Sequence, residues 1–350
     1  MNLLLDDIPY RESLYPFGQV SSIAHIRIGI LSIFEKWQLF FPGKVFISSE
    51  AKNYIDASSC LTIPANLVPS GEFLRHTKDT LSNPPAGFDC RILEYPWQIA
   101  EYNGWAIHED FKLLTGGRTS KDISSANQLV NPGNIFVEEG AEINHAVLNA
   151  AAGPIYIAKN AEIEEGSLLR GPVSVGEGSR VKMGTRIYGA TTIGPYCIAG
   201  GEIKNSVITG FSNKGHDGYL GDSVIGTWCN LGAGTSNSNL KNTAGIIKMW
   251  SKKEKAFVAA GYKCGLLMGD YSRSAINTSF NTGTIVGVCC NIFGNAFERR
   301  FIDDFTWGNE KYIFEKAISD INNWKRLKGQ QITEEEIGSL KNIYQTKEEK

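Results

Sequence analysis

Between Ile157 and Ala199 an aliphatic residue falls at every sixth position without a miss: Ile157, Ile163, Leu169, Val175, Val181, Ile187, Ile193 and Ala199. The segments read IAKNAE, IEEGSL, LRGPVS, VGEGSR, VKMGTR, IYGATT and IGPYCI, with small residues recurring between the aliphatic positions. A helix repeats every ~3.6 residues and a strand every two, so a period of six fits neither alone. It fits a short strand and a turn repeated around a triangular prism, with the aliphatic side chain pointing inward. Shorter tracts continue the pattern: VEEGAE and INHAVL from Val137, YLGDSV, IGTWCN and LGAGTS from Tyr219, and MGDYSR through IFGNAF from Met268. A parallel β-helix of hexapeptide repeats is expected, and an antiparallel sandwich, which would alternate with period two, is not. Glycine, 37 of 350 residues, exceeds the ordinary ~7%, as corners between such short strands require.

Two stretches interrupt the period, residues 207–218 and about 237–267. Both read as loops projecting from a rigid coil, where function concentrates. Before the coil, LLLDD, KVFIS and LTIPA read as strands of a mixed α/β unit; after it, Tyr312 to Leu327 forms a helical stripe ended by Gly329. Thr333 and Glu336 form a capping-box pattern ahead of a last helix. The expected organisation is an α/β domain over 1–120, a linker over 121–134, a coil over 135–305 and C-terminal helices over 306–350.

Several classes drop out. A net charge of −2 argues against a nucleic-acid binder. No apolar run approaches the ~18 residues of a membrane span. MNLLLDDIPYRESL has acids where a signal peptide carries basic residues. Seven scattered cysteines without a C-x-x-C pair suit buried thiols in a reducing cytoplasm, and Cys289-Cys290 reads as small residues packed in a coil. No metal site is expected from the cysteines.

The first interruption holds His216 between glycines, where a neutral imidazole suits a general base near pH 7. Arg186 and Lys204 are three hexapeptides apart, which predicts that they stack on one face in successive coils and suits gripping a phosphate.

The run GHDGYLGDSVIGTWCNLGAGTSNSN resembles the acetyltransferase half of the bifunctional uridyltransferase/acetyltransferase family that makes UDP-N-acetylglucosamine. That half is a left-handed β-helix and typically a trimer with active sites between subunits. The resemblance implies His216 as the acetyl-transfer base and Tyr219, Asn230, Asn239, Arg186 and Lys204 as substrate-binding residues. It implies acetyl-CoA as co-substrate, contacted around Ala275, Ile276 and Gly294, although the family's serine and alanine are absent there. Lys252, Lys253 and Lys255 could meet its phosphates. Near the N-terminus, Arg11, Pro16, Arg27, Gly29, Glu35, Lys36 and Trp37 resemble a divergent bacterial branch of sugar nucleotidyltransferase-like proteins, with Gln19-Val20-Ser21 where that branch usually has Thr-Arg-Pro. The Gly-rich triphosphate loop is missing. Arg11, Arg27 and Lys36 are weak phosphate candidates and Asp6-Asp7 a weak Mg²⁺ candidate, should that domain act.

The expected function is transfer of an acetyl group to the amine of a hexosamine phosphate or its nucleotide, by a cytoplasmic homotrimer that binds neither nucleic acid nor membrane. Two alternatives stand: nucleotidyl transfer to a sugar 1-phosphate by the N-terminal domain, and a non-catalytic sugar-nucleotide-binding or scaffold protein.

Overall fold

The aliphatic positions of the six-residue period all point into one shared interior. In a computed structural model, which describes residues 2–51, 60–80, 87–294 and 297–346, the eight side chains from Ile157 to Ala199 are each at most 1% exposed. They line a continuous column of Ile, Val, Leu and Ala running from Ile135 to Ile302. Burying a side chain of this size removes it from water at a gain of ~1.5–3 kcal/mol, repeated at every rung.

The column is enclosed by three parallel sheets. Each coil visits them in turn: face 1, nine strands from Ile135–Val137 to Phe301–Ile302; face 2, ten strands from Glu142–Ile143 to Glu310–Lys311; face 3, six strands from Gln128–Val130 to Tyr219–Gly221. All pairings are parallel except Glu310–Lys311, which folds back antiparallel on Thr306–Trp307. Gln128–Val130 lies within the stretch read as a linker, yet it pairs with Val147–Asn149 as the first strand of face 3. Leu129 packs against the interior column, so the polar composition around it was a poor guide.

The register carries three hexapeptides per coil where Leu168 meets Arg186 and Val173 meets Thr191. The next coil is shorter: Ile198 meets Asn213 and Arg186 meets Glu202. The first interruption is therefore not a projecting loop. Val207–Gly210 and Asn213–Lys214 remain in faces 1 and 2, and the sequence period slips because residues are deleted from the coil. The second interruption is an antiparallel hairpin, Ile247–Ser251 with Ala256–Gly261, anchored by fully buried Ile247 and Met249.

The N-terminal unit is α/β, as expected. A parallel sheet orders Val45–Ile47, Asn2–Asp6 and Cys60–Pro64, with helices α1 (Ile33–Phe40), α2 (Gly71–Thr80) and α3 (Gln98–Thr115). Its core continues into the outer side chains of face 1, including Val207, Val224, Leu267 and Ile285, so the unit caps that face. Asn103 stitches the two together, accepting from the Gly29 amide (2.8 Å) and donating to the Ala190 carbonyl (2.8 Å).

Helices α4 (Phe314–Arg326) and α5 (Glu334–Thr346) close the chain. Thr333 and Glu336 form the expected capping box, with Thr333 N–H to Glu336 at 2.8 Å and Glu336 N–H to Thr333 Oγ1 at 3.2 Å. Ala317, Ile321 and Leu340 pack on Trp228, Tyr271, Cys289 and Phe305 at the corner between faces 1 and 2. Ile313 and Leu327, read as part of the apolar stripe, are 62% and 77% exposed. Among the described residues no helix is long and apolar enough to cross a membrane.

Candidate functional site

His216 is exposed and sits on the corner between faces 2 and 3, between Asn213–Lys214 and Tyr219–Gly221. The turn that carries it lies tightly over the coil below. Gly201 has φ +74°, and a Cβ there would stand 2.7 Å from the His216 carbonyl oxygen and 2.9 Å from Asp217 Cα. Only glycine fits both the backbone and the clearance.

Lys214 holds the same turn from inside. It pairs in register with Ala199 below, at an interior position of face 2, and is 2% exposed. Its ammonium donates to the Gly200 carbonyl (3.0 Å) and to the His216 carbonyl (2.5 Å). Burial pushes its pKa down to about 8, with Asp217 partly opposing the shift. A charge among apolar side chains is costly, and these two carbonyls satisfy it while fixing the backbone of His216.

Face 3 beside this corner carries a polar cluster. Arg186, Glu202 and Tyr219 occupy one column of outward positions; Arg170, Tyr188, Lys204 and Gly221 occupy the next. Arg186 and Lys204 thus share a face in successive coils, but the shortened coil sets them diagonally, with Glu202 opposite Arg186 and Tyr188 opposite Lys204. Equal spacing in the sequence had predicted direct stacking. Lys204 Nζ lies 5.5 Å from the centre of the Tyr188 ring, and Tyr188 donates to Glu202 at 2.6 Å. Glu202 also stands 3.9 Å from Arg186.

Tyr219 folds back across its own strand to where Gly221 lacks a side chain; a Cβ there would lie 2.2 Å from its hydroxyl. The hydroxyl accepts from Asn239 Nδ2 (3.1 Å). Asn239 also donates to Asp222 (2.5 Å), which accepts a second bond from Asn205 (2.7 Å). Burial, then Asp222, Tyr188 and Glu202, push the Tyr219 phenol up to about 12. It stays protonated at neutral pH, with its hydrogen available to a ligand oxygen.

The remaining expected residues separate into two groups. Ala275, Ile276 and Gly294 share the His216 corner. Asn213, Asn230, Arg273 and Asn291 form one column on face 2, and three residues beyond each come His216, Ala233, Ile276 and Gly294. Coils rise about 4.8 Å each, so these four mark an edge on the order of 14 Å long. Ile276 is 69% exposed on it. Asn230, by contrast, lies on face 2, bonded to Asn213 (3.3 Å), which also takes a bond from Lys328 beyond α4 (3.2 Å). It is not gathered with Tyr219 and Asn239, because the two sheets face different directions.

The N-terminal cations hold the cap together. Lys36 is buried in an ion pair with Asp110, whose carboxylate also accepts from the amides of Ile30 (2.8 Å) and Leu31 (3.0 Å). Arg27 binds Glu35 (3.1 Å) and the Ile30 carbonyl. Arg11 donates to the carbonyls of Gly18 (2.9 Å) and Gln19 (3.1 Å). All three therefore have hydrogen-bond partners within the chain, while Arg11 also lines two cavities at the surface of the cap. Asp7 is buried and accepts from the amide and hydroxyl of Ser49 (3.0 and 2.6 Å), so Asp6-Asp7 offers no open carboxylate pair. Among the described residues no group of three or more His, Cys, Asp or Glu is placed to hold a metal ion. The hairpin takes Lys252 over the Tyr15 ring (4.2 Å) and Glu254 to Tyr95 (2.7 Å), so it docks on the cap and not along the His216 edge.

Sequence reasoning did not single out Tyr188, Glu202, Asn205, Lys214 or Asp222. The first two sit at outward positions of hexapeptides already recognised, two residues from Arg186 and Lys204. Lys214 had no such signal, because the shortened coil hides its interior register.

No family model matches this chain. Curated relatives do. It is 33% identical over 117 residues to the bifunctional protein GlmU of Methanocaldococcus jannaschii, covering 33% of this chain and 28% of that protein. It is 31% identical over 211 residues to a bifunctional sugar-1-phosphate nucleotidylyltransferase/acetyltransferase of Sulfurisphaera tokodaii, covering 59% and 45%. The chain thus spans less than half the length of these relatives. A solved hexapeptide transferase family protein from Anaplasma phagocytophilum aligns over 63% of this chain and 87% of its own at 16% identity, with a TM-score of 0.25. The fold assignment rests on the hydrogen-bonded coils themselves.

Proposed function

We propose that the chain is a transferase of sugar-nucleotide metabolism that moves an acetyl group from acetyl-CoA to the amine of a hexosamine phosphate or of its nucleotide. The observation that carries this reading is the convergence of three features: exposed His216 on a buried clamp, the cations Arg186 and Lys204 of face 3 beside it, and the exposed edge through Ala275, Ile276 and Gly294. The similarity to bifunctional nucleotidylyltransferase/acetyltransferases supports it.

In this reading Arg186 and Lys204 hold the sugar phosphate by charge. Tyr219, oriented by Asn239, donates to a sugar oxygen. His216 accepts the amine proton as the nitrogen attacks the thioester carbonyl; the carbon–sulfur bond breaks, and the imidazolium returns that proton to the departing thiolate. The open edge suits the extended, largely apolar arm of the acyl donor. Asn230 lies outside this group and has a role only if a second copy approaches face 2. A homotrimer with its sites between copies is part of the proposal.

Replacing His216 with alanine should lower acetyl transfer by about 10²–10⁴-fold. The assay is free-thiol release with a panel of hexosamine phosphates, beside a melting curve and a sedimentation run. Unchanged turnover would overturn the assignment of the base.

A further inference from the structure

We propose that face 3 carries, next to the sugar phosphate cations, a subsite for the nucleoside diphosphate half of a nucleotide-linked sugar. This makes the acceptor a nucleotide sugar and not a free sugar 1-phosphate, and it rests on the acyl-transfer reading above.

A groove of about 330 Å³ runs along the outside of face 3, lined by Val147, Asn149, Leu168, Arg170, Arg186 and Tyr188, among others. That volume lies within the ~300–1,000 Å³ range of small-molecule sites. The groove shares Arg186 with the sugar site, so the two are contiguous. Its position follows from the register: Leu168 stands opposite Arg186, and Arg170 opposite Tyr188.

Charge selects the occupant. Arg170, Arg186 and Lys204 lie on adjoining rungs, with the carboxylate of Glu202 among them and that of Asp222 at the adjoining corner, the latter held by Asn205 and Asn239. Glu202 is already engaged by Tyr188 (2.6 Å) and Arg186 (3.9 Å). Among the described residues no carboxylate lies within 4.0 Å of the Arg170 guanidinium. Arg186 and Lys204 suffice for one phosphate, and Arg170, one rung further along, extends the positive strip to a second. Leu168, on the same strand as Arg170, and Val147, one rung beyond, offer an apolar floor, with Leu168 47% exposed. Asn149 accepts from the Ala151 amide (3.0 Å) through its oxygen, which leaves its NH₂ group to donate to a base carbonyl. Two phosphates followed by a flat, hydrogen-bonding apolar group describe a nucleoside diphosphate.

The test is calorimetric titration of the full chain with inorganic phosphate, inorganic pyrophosphate and the four common nucleoside diphosphates. At least one nucleoside diphosphate should bind tenfold or more tightly than pyrophosphate. Arg170→Ala should weaken it at least tenfold and inorganic phosphate by less, while the control Arg180→Ala, on face 2, should leave it within twofold. The proposal falls if no nucleoside diphosphate outbinds pyrophosphate, or if Arg170→Ala leaves affinity unchanged. It also falls if Arg170→Ala instead shifts the sedimentation coefficient, which would make the groove an interface between copies. These readouts contain no acyl transfer. If nucleoside diphosphate binds as expected but the wild-type chain releases no free thiol from acetyl-CoA with any hexosamine phosphate or nucleotide-linked hexosamine, the acyl-transfer reading fails and the subsite stands.

Discussion

Two corners of the same prism turn through the same backbone geometry and are filled in opposite ways. At the corner between faces 1 and 2, the left-handed positions are Gly140, Asn160 and Gly178 on the lower coils, and on the upper coils Tyr196, Phe211, Trp228, Tyr271, Cys289 and Phe305, these six with φ between 52° and 63°. They form one column: Phe211 stacks on Tyr196 at 5.0 Å and on Trp228 at 4.6 Å. At the corner between faces 2 and 3 the turn beneath His216 is left-handed at Gly201, and the edge above remains open. A side chain in the left-handed region costs about 1–2 kcal/mol. The aromatic corner offsets that cost by stacking and by burial beneath α4 and α5. Gly201 avoids it, and keeps the backbone beneath His216 low. From Phe211 to Phe305 the strain is covered by packing, whereas at Gly201 it is avoided.

The largest test of this contrast is Trp228→Ala. Trp228 is 7% exposed, stacked on Phe211, with the Lys325 ammonium 5.2 Å from its ring. Truncation should cost about 3–5 kcal/mol, read by denaturant unfolding. A loss below ~1 kcal/mol would mean that the helices do not depend on this corner.

Gly201→Ala comes next. The new methyl would press on the His216 carbonyl at 2.7 Å in a left-handed backbone. A stability loss of about 1–2 kcal/mol is expected, together with reduced turnover at saturating substrate, since the turn carrying His216 has to shift. Full turnover with the stability loss would separate the turn from the chemistry.

Lys214→Met should show itself through pH. The wild-type amine titrates near 8 when folded and near 10.5 when free. Below about 8 both states hold the proton and the buried charge carries its full penalty. Between 8 and 10.5 the unfolded chain binds more protons than the folded one, so wild-type stability rises with pH. The melting temperature of the wild type relative to Lys214→Met should therefore climb across that interval; a flat difference would contradict the buried position. The smallest effect belongs to Ile276→Ala on the open edge: at 69% exposure it should change stability by no more than ~0.5 kcal/mol, while raising KM for the acyl donor if that edge seats it.

Much of the fold was legible because a six-residue period admits few solutions. The interior residues from Ile157 to Ala199, the strands LLLDD, KVFIS and LTIPA, and the Thr333–Glu336 cap followed from spacing and residue type. The polar stretch around Gln128–Val130 was misread, since a single short strand at the end of a coil has no period of its own. The hairpin at Ile247–Gly261 was read as a loop, because its apolar side buries against the cap and face 1, which lie far away in sequence.

For the candidate site, the resemblance named His216, Tyr219, Asn230, Asn239, Arg186 and Lys204 together. Their arrangement was another matter. Counting in sixes assumes that every coil has equal length, and one coil here is short, which turns direct stacking of Arg186 and Lys204 into a diagonal and brings Glu202 and Tyr188 between them. Residue type alone also left Lys36, Arg27 and Arg11 as open cations, whereas their partners Asp110, Glu35 and the Gly18 carbonyl meet them only in the folded cap. The sequence by itself determined that the chain coils and which side chains point inward, because local periodicity dictates both. Tertiary structure decided which corner is covered and which charges remain unpaired, because both depend on contacts between segments distant along the chain.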